Sequence, residues 1–196
     1  NDDNNNSGSV YIFRKIGEQW KITTFIKAQN NDSEDGFGSS VAISGSVLSV
    51  GAPKEDGAGI GFNRDLDTNT RTDSGAVYTY ELGEETDNWT PQLYIKADDS
   101  QASSFFGSQI VTDNNDLLVS APFYNIDSLT NAGKAYFYYY DLTLNEWVFD
   151  VDFLGKEDSS MLGDTLAIDN SEFAIGSRDV ALDSGESAIQ MATVFE

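Results

Sequence analysis

Apolar residues along this chain come in short runs interrupted by Gly, Asn, Asp and Ser, and within several runs they alternate with polar ones. Trp20, Ile22, Thr24 and Ile26 alternate with Lys21, Thr23, Phe25 and Lys27, the period of two expected for a strand with one face more exposed than the other. No segment sustains apolar residues at three-to-four spacing, so no amphipathic helix is predicted. The pattern is that of an all-β chain built from short strands.

The runs also recur in a fixed order. A Phe-Gly pair opens the pattern at Phe37-Gly38 and Phe106-Gly107, with a worn copy at Leu162-Gly163. A short apolar strand follows each, and a second strand ends in small residues: Gly51-Ala52-Pro53, Ser120-Ala121-Pro122 and Gly176-Ser177. Proline has no N–H for the ladder, so pairing stops there. A polar loop then leads to a small-residue pair and an aromatic-rich third strand, with copies beginning at Ser7-Gly8, Ser74-Gly75, Ala132-Gly133 and Ser184-Gly185. A Trp announces the fourth strand, at Trp20, Trp89 and Trp147.

Four short antiparallel strands joined by turns have the make-up of a β-propeller blade. The predicted organisation is one propeller region: a partial blade over 1–30 (third and fourth strands), full blades over 37–98 and 106–155, and a partial blade over 161–196 (first to third strands). Closed propellers have about four to eight blades, so this count predicts an incomplete ring, completed by further blades of the same protein or by another copy. The longest insertion between strands, 54–73, is expected to be a loop.

Composition narrows the chemistry. Eleven Lys and Arg stand against 33 Asp and Glu, a net charge of −22, which repels nucleic-acid phosphates and anionic membrane faces. Neither His nor Cys occurs, which excludes Cys/His zinc sites, Cys nucleophiles and a Ser-His-Asp relay. Carboxylate chemistry, as in glycoside hydrolysis, is the remaining catalytic route, but no acidic pair stands out. No apolar run approaches the ~20 residues of a membrane-spanning helix. Asn1 to Ser7 are polar without a signal-peptide pattern, and a chain that starts without Met reads as a processed or truncated product.

The Phe-Gly pair, the Val-Gly-Ala-Pro strand end and the Ser-Gly-x-Val-Tyr third strand resemble the FG-GAP repeat, the blade unit of integrin α-subunit propellers and of many bacterial surface and secreted proteins. The motif falls on Phe37, Gly38, Gly51, Ala52 and Pro53, and again on Phe106, Gly107, Ala121 and Pro122. The third copy departs from it, with Leu162 for Phe, Ser177 for Ala and no Pro, which suggests a distorted or terminal unit. These residues are expected to be architectural: Gly for close backbone approach, Phe as a plug between sheets, Pro as a strand stop.

The resemblance implies a non-enzymatic extracellular, periplasmic or cell-surface module for recognition or adhesion, binding protein or glycan through loops on one face. A structural unit of a surface layer or filament is the alternative, and a carboxylate glycosidase a weaker one. Phe62, Phe123 and Tyr124 are the candidate contact aromatics, with local loop packing as their other reading.

In integrin-type blades calcium sits between the first and second strands, but here those loops are short and lack the alternating acidic pattern. The loop carrying Asp65, Asp67, Asn69 and Asp73 spaces its oxygen ligands better, as in part of an EF-hand, so Ca²⁺ is the cofactor expected there. It lacks the Gly and the closing Glu of that motif, and an ordinary solvated acidic loop has the same spacing.

Overall fold

The computed structural model describes residues 5–64, 66–83, 88–170 and 172–178, and every regular element among them is a β-strand. An antiparallel hairpin of β1 (Val10–Ile16) and β2 (Gln19–Ile26) comes first. The second sheet contains β3 (Ser40–Ser44), β4 (Val47–Ala52), the two-residue β5 (Gly61–Phe62), β6 (Ala76–Leu82) and β7 (Trp89–Lys96), in the order β3-β4-β6-β7-β5. The third repeats the meander with β8 (Ile110–Asp113), β9 (Asp116–Ala121), β10 (Lys134–Asp141) and β11 (Glu146–Leu154). A last hairpin joins β12 (Thr165–Asp169) to β13 (Glu172–Gly176).

One expectation needs adjusting. The insertion 54–73 is not all loop, because Gly61 and Phe62 pair with Lys96 and Ile95 and extend the outer edge of the second sheet. The fourth copy of the third strand, at 184–189, lies outside the described residues, as does the candidate ligand Asp65. Elsewhere β4 and β9 stop at Ala52 and Ala121, immediately before Pro53 and Pro122.

Internal equivalence extends to irregularities. Each pairing of third with fourth strand carries one register shift, between Ile12 and Phe13, between Thr79 and Tyr80, and between Phe137 and Tyr138. These are the same position of the repeat, and a bulge there increases local twist in every sheet alike.

The core lies between consecutive sheets. Val10, Ile26 and Phe37 pack with Leu48, Tyr78, Tyr80 and Tyr94 in one cluster. Val77 and Ile95 meet Phe106, Ile110, Tyr136 and Trp147 in the next. Leu118, Ala135 and Phe137 meet Leu162, Phe173 and Ile175 in the third. First strands β3, β8 and β12 adjoin in that order, so the sheets stack side by side about one edge. Among the described residues the stack does not close on itself; β1–β2 and β12–β13 remain separate two-stranded sheets at its two ends.

A backbone clasp joins each sheet to the next. The N–H of Phe37 donates to Ser7 O (2.9 Å), that of Phe106 to Ser74 O (3.1 Å) and that of Leu162 to Ala132 O (2.9 Å). The following glycine turns back into its own sheet, with Gly38 N–H to Gly51 O, Gly107 N–H to Ser120 O and Gly163 N–H to Gly176 O, each 2.9 Å. The third copy, expected to be distorted or terminal, keeps both bonds, because they are made by backbone and do not require the Phe side chain. Gly75 shows why the partner must be glycine: its φ is +80°, and a Cβ there would lie 2.1 Å from the Phe106 carbonyl oxygen.

Gly75→Ala is therefore expected to cost about 3–4 kcal/mol, from strain plus the displaced clasp. Gly17, at φ +65° in the β1–β2 turn with nothing within 4 Å of its Cβ position, separates the two effects. Gly17→Ala should lose only the left-handed φ penalty, about 1–2 kcal/mol. Urea unfolding midpoints of the two variants measure the difference; equal losses would mean that the clasp contributes nothing.

Candidate functional site: the long-loop edge

The two edges of the stack differ. At one lie tight turns between first and second strands, 44–47, 113–116 and 169–172, which touch in series: Asn114 N–H donates to Ser44 Oγ (2.9 Å) and Asn170 N–H to Asp113 Oδ2 (2.7 Å). At the other lie the long loops, 53–75 and 122–133, together with the connections from fourth strands into the Phe-Gly pairs. There Asn30 Nδ2 donates to Glu55 Oε1 (3.1 Å), Asn125 N–H to Gln101 Oε1 (2.8 Å) and Thr130 N–H to Asp158 Oδ1 (2.8 Å). Loops from neighbouring sheets thus form one continuous surface, rich in carboxylates.

The turn after each second strand positions this edge. Glu55 N–H donates to Ala52 O and Tyr124 N–H to Ala121 O, which folds the third residue after the alanine back beneath the sheet. Glu55 is only 1% exposed and meets Lys96, 1% exposed, with Nζ to Oε2 at 2.7 Å. Lys96 also donates to Ser74 Oγ (2.7 Å), and Glu55 accepts from the N–H of Gly57 (2.9 Å). Burial pushes the Lys96 ammonium below the ordinary lysine value, while the adjacent Glu55 carboxylate opposes the shift.

One repeat later the same space is solved differently. Tyr124, Ala132 and Leu154 replace Glu55, Ser74 and Lys96 in sequence position, and the lysine has moved to Lys134, directly opposite Leu154 in the register. Lys134 pairs with Asp99 and Asp152 and lies over the rings of Tyr136 (4.9 Å) and Tyr124 (5.1 Å). Burial alone would raise the Asp99 carboxyl. Hydrogen bonds from Lys134, Tyr136 and Tyr124, with the Lys134 charge, outweigh it and hold the group below the ordinary carboxylate range.

Sequence reasoning missed Asp35. It sits where the other repeats place Ser104 and Ser160, and is 4% exposed. The two serines donate to the preceding carbonyls Ser74 O (3.2 Å) and Ala132 O (2.9 Å), whereas Asp35 accepts from Asp32 N–H (3.1 Å). Burial, followed by the charges of Glu55, Asp32 and Asp56, raises its carboxyl to about 6 despite that hydrogen bond. An Asp where the other repeats have Ser two residues before the clasp residue, Phe106 or Leu162, was the available signal.

Of the candidate contact aromatics, Phe62 packs edge-on against Tyr138 (6.0 Å) and Phe123 against Phe105 (5.1 Å). Tyr124 donates its hydroxyl to Asp99 Oδ2 (2.9 Å). All three rings are half-buried. In the acidic loop, Asp67 is exposed, Asn69 Nδ2 donates to Asp32 Oδ2 (2.6 Å), and the Asp73 N–H donates to Asp56 Oδ1 (2.7 Å). Among the described residues no three acidic side chains form a group able to hold a metal.

Antiparallel sheets in series, joined through Phe-Gly and small-Gly backbone, define the class: an all-β repeat protein. The family model for the FG-GAP repeat matches residues 20–80, the stretch in which the sequence motif is best kept. The match runs from the fourth strand of one sheet to the third strand of the next and so contains the Phe37 clasp. No curated protein matches the chain.

Two measurements test the edge. Lys96→Met leaves the Glu55 carboxylate buried without its cation and should cost about 3–5 kcal/mol, whereas Lys96→Met/Glu55→Gln should recover a large part of it, as read by urea unfolding. For Asp35 the folded value lies above the unfolded one, so its stabilising contribution is full below about 4 and is lost as pH rises through about 6. Asp35→Ser should raise Tm at pH 7.5 relative to the parent, and the gain should shrink as pH falls toward 4; a pH-independent difference would contradict the assignment.

Proposed function

We propose that the chain forms blades of a β-propeller that serves as a non-catalytic recognition or adhesion module outside the cell, with the long-loop edge as its contact surface. What carries the reading is the FG-GAP match, placed on a stack of equivalent sheets that brings loops of successive repeats together along one edge. Such scaffolds present variable loops from a rigid frame. The carboxylates of this edge, among them Asp67, Asp127 and Asp158, favour a ligand that offers cations or hydroxyl donors: a basic segment of a protein, or a glycan. A non-catalytic role also accords with the internal use of Glu55 and Asp99, both committed to lysine.

Calcium enters this reading through the candidate ligands Asp65, Asp67, Asn69 and Asp73, of which Asn69 bonds Asp32 and Asp73 bonds Asp56. A cation bound only by the native chain raises its melting temperature. Millimolar calcium should raise Tm, and Asp67→Asn/Asp73→Asn should abolish the rise; an unchanged Tm removes calcium and leaves the recognition role standing.

The surface itself is tested by binding. The labelled chain is applied to arrays of glycans and of basic peptides, beside Asp67→Lys/Asp127→Lys at the long-loop edge and Ser46→Lys/Asn115→Lys at the tight-turn edge. Binding should fall at least tenfold in the first variant and persist in the second. The opposite ranking would place the contact surface on the tight turns, and turnover of a bound glycan would make the protein a glycosidase.

A further inference from the structure

Glu55 holds more than its lysine. The two oxygens of its carboxylate receive different partners: Lys96 Nζ donates to Oε2 (2.7 Å) and Asn30 Nδ2 to Oε1 (3.1 Å). A primary amine and a carboxamide are thus gathered by one acid–base group. The Tyr78 hydroxyl donates to Asn30 Oδ1 (2.7 Å), so a fixed donor polarises the carbonyl of that carboxamide. Asn30 Nδ2 also donates to Leu66 O (2.9 Å), which sets the plane of the amide. Lys96, Glu55 and Tyr78 are all buried, and Tyr94 packs edge-on against Tyr78 at 5.2 Å.

The protonation states suit an exchange of amides. Burial lowers the Lys96 ammonium, although Glu55 opposes the shift, and so favours the neutral amine that acts as a nucleophile. Burial, followed by the charges of Glu55 and Asp35, raises the Tyr78 hydroxyl, which therefore keeps the proton it offers to Asn30.

We propose that Lys96 and Asn30 react with each other to form an intramolecular isopeptide bond, with Glu55 as the proton shuttle. Glu55 takes a proton from the Lys96 ammonium, and the freed lone pair on Nζ attacks Asn30 Cγ. The π electrons of the carbonyl move onto Oδ1, against the Tyr78 hydroxyl. Glu55 passes its proton to Nδ2 and accepts a second one from Nζ. The carbonyl then re-forms, the Cγ–Nδ2 bond breaks with its electron pair on nitrogen, and ammonia leaves. One amide replaces another, so no oxidant, reductant or co-reactant is consumed.

The bond ties two sheets together. Asn30 follows β2 and Lys96 ends β7, the fourth strands of consecutive sheets. Joining them closes a loop that contains the whole second sheet and restricts the unfolded chain as a disulfide does, in a protein without Cys. The interface it secures is the one held by the Phe37 clasp. It is independent of what the long-loop edge binds. In the next repeat Lys134 meets Asp99, Asp152 and the rings of Tyr124 and Tyr136. No carboxamide stands among those contacts, and Lys134 is expected to remain a free amine.

Intact-mass spectrometry of the purified full chain, with peptide mapping, is the test. The parent should lack the mass of one ammonia, and trypsin should fail to cleave after Lys96, leaving residues 28–54 joined to the peptide that contains Lys96. Glu55→Gln keeps the shape of the shuttle without its base, and Lys96→Arg removes the nucleophile; both should show the full mass and separate peptides. A parent chain of full mass after prolonged incubation in the folded state would overturn the proposal, whether or not the variants fold. Loss of ammonia without the joined peptide would also overturn it, since a succinimide at any asparagine loses the same mass. So would a joined peptide that forms in Glu55→Gln as fast as in the parent.

Discussion

Everything in this fold hangs on a backbone contact between the residue pair that opens one sheet and the pair that leads into the third strand of the sheet before. The N–H of Phe37, Phe106 or Leu162 reaches the carbonyl of Ser7, Ser74 or Ala132, and the next residue bonds within its own sheet. One dipeptide thereby fixes where consecutive sheets meet and how the first strand enters. Two chains of backbone at such close range leave no room for Cβ, which is why both sides of the contact use glycine with positive φ. The aromatic plug works on top of this frame: Phe37 and Phe106 each meet a third-strand tyrosine edge-on, at 5.2 Å, in the space the clasp defines. Where Leu162 replaces Phe, the frame persists and only the filling changes.

Beneath the turn that follows each second strand, charge and packing trade places between repeats. In the second sheet a lysine on the fourth strand reaches a buried glutamate; in the third the lysine stands on the third strand, and an aspartate from the preceding connection receives it. Both arrangements neutralise one cation with carboxylate oxygen and fill the remaining valences with hydroxyl groups, Ser74 in one case and Tyr136 in the other. In a chain of net charge −22, lysines placed inside reduce repulsion where the loops crowd most. Asp35 has no such cation among its strongest influences, and its carboxyl is the one driven up to about 6.

Much of this was legible from sequence because the informative residues are ones that backbone geometry dictates. Gly38, Gly107 and the Gly75 and Gly133 pairs mark contacts that tolerate no side chain, and Pro53 and Pro122 mark strand ends by lacking a donor, so order and boundaries could be read directly. The site was far less legible. That Glu55 is internal and Asp67 external depends on a turn that folds one back and leaves the other in water, and both are simply acids in the sequence. Lys134 could not be matched to Lys96 by alignment, since it arrives at the same space from the opposite strand. The two-residue strand β5 was hidden for a related reason: Gly61 and Phe62 pair only because β7 presents a free edge beside them.

A repeat architecture also determines what an unpaired end means. Each sheet here covers its neighbour's apolar face, so stability is approximately a sum over interfaces, and an end sheet lacks one such term. In a globular core a solvent-exposed tryptophan such as Trp20 would need a special explanation; in a stack it marks the position whose equivalent, Trp147, is buried by the preceding sheet. The exposed residues of β1–β2 therefore follow the interior pattern of the repeat and not a surface pattern. Among the described residues, the first sheet is a hairpin of third and fourth strands and the last a hairpin of first and second strands, so the same repeat logic places an apolar face at each end.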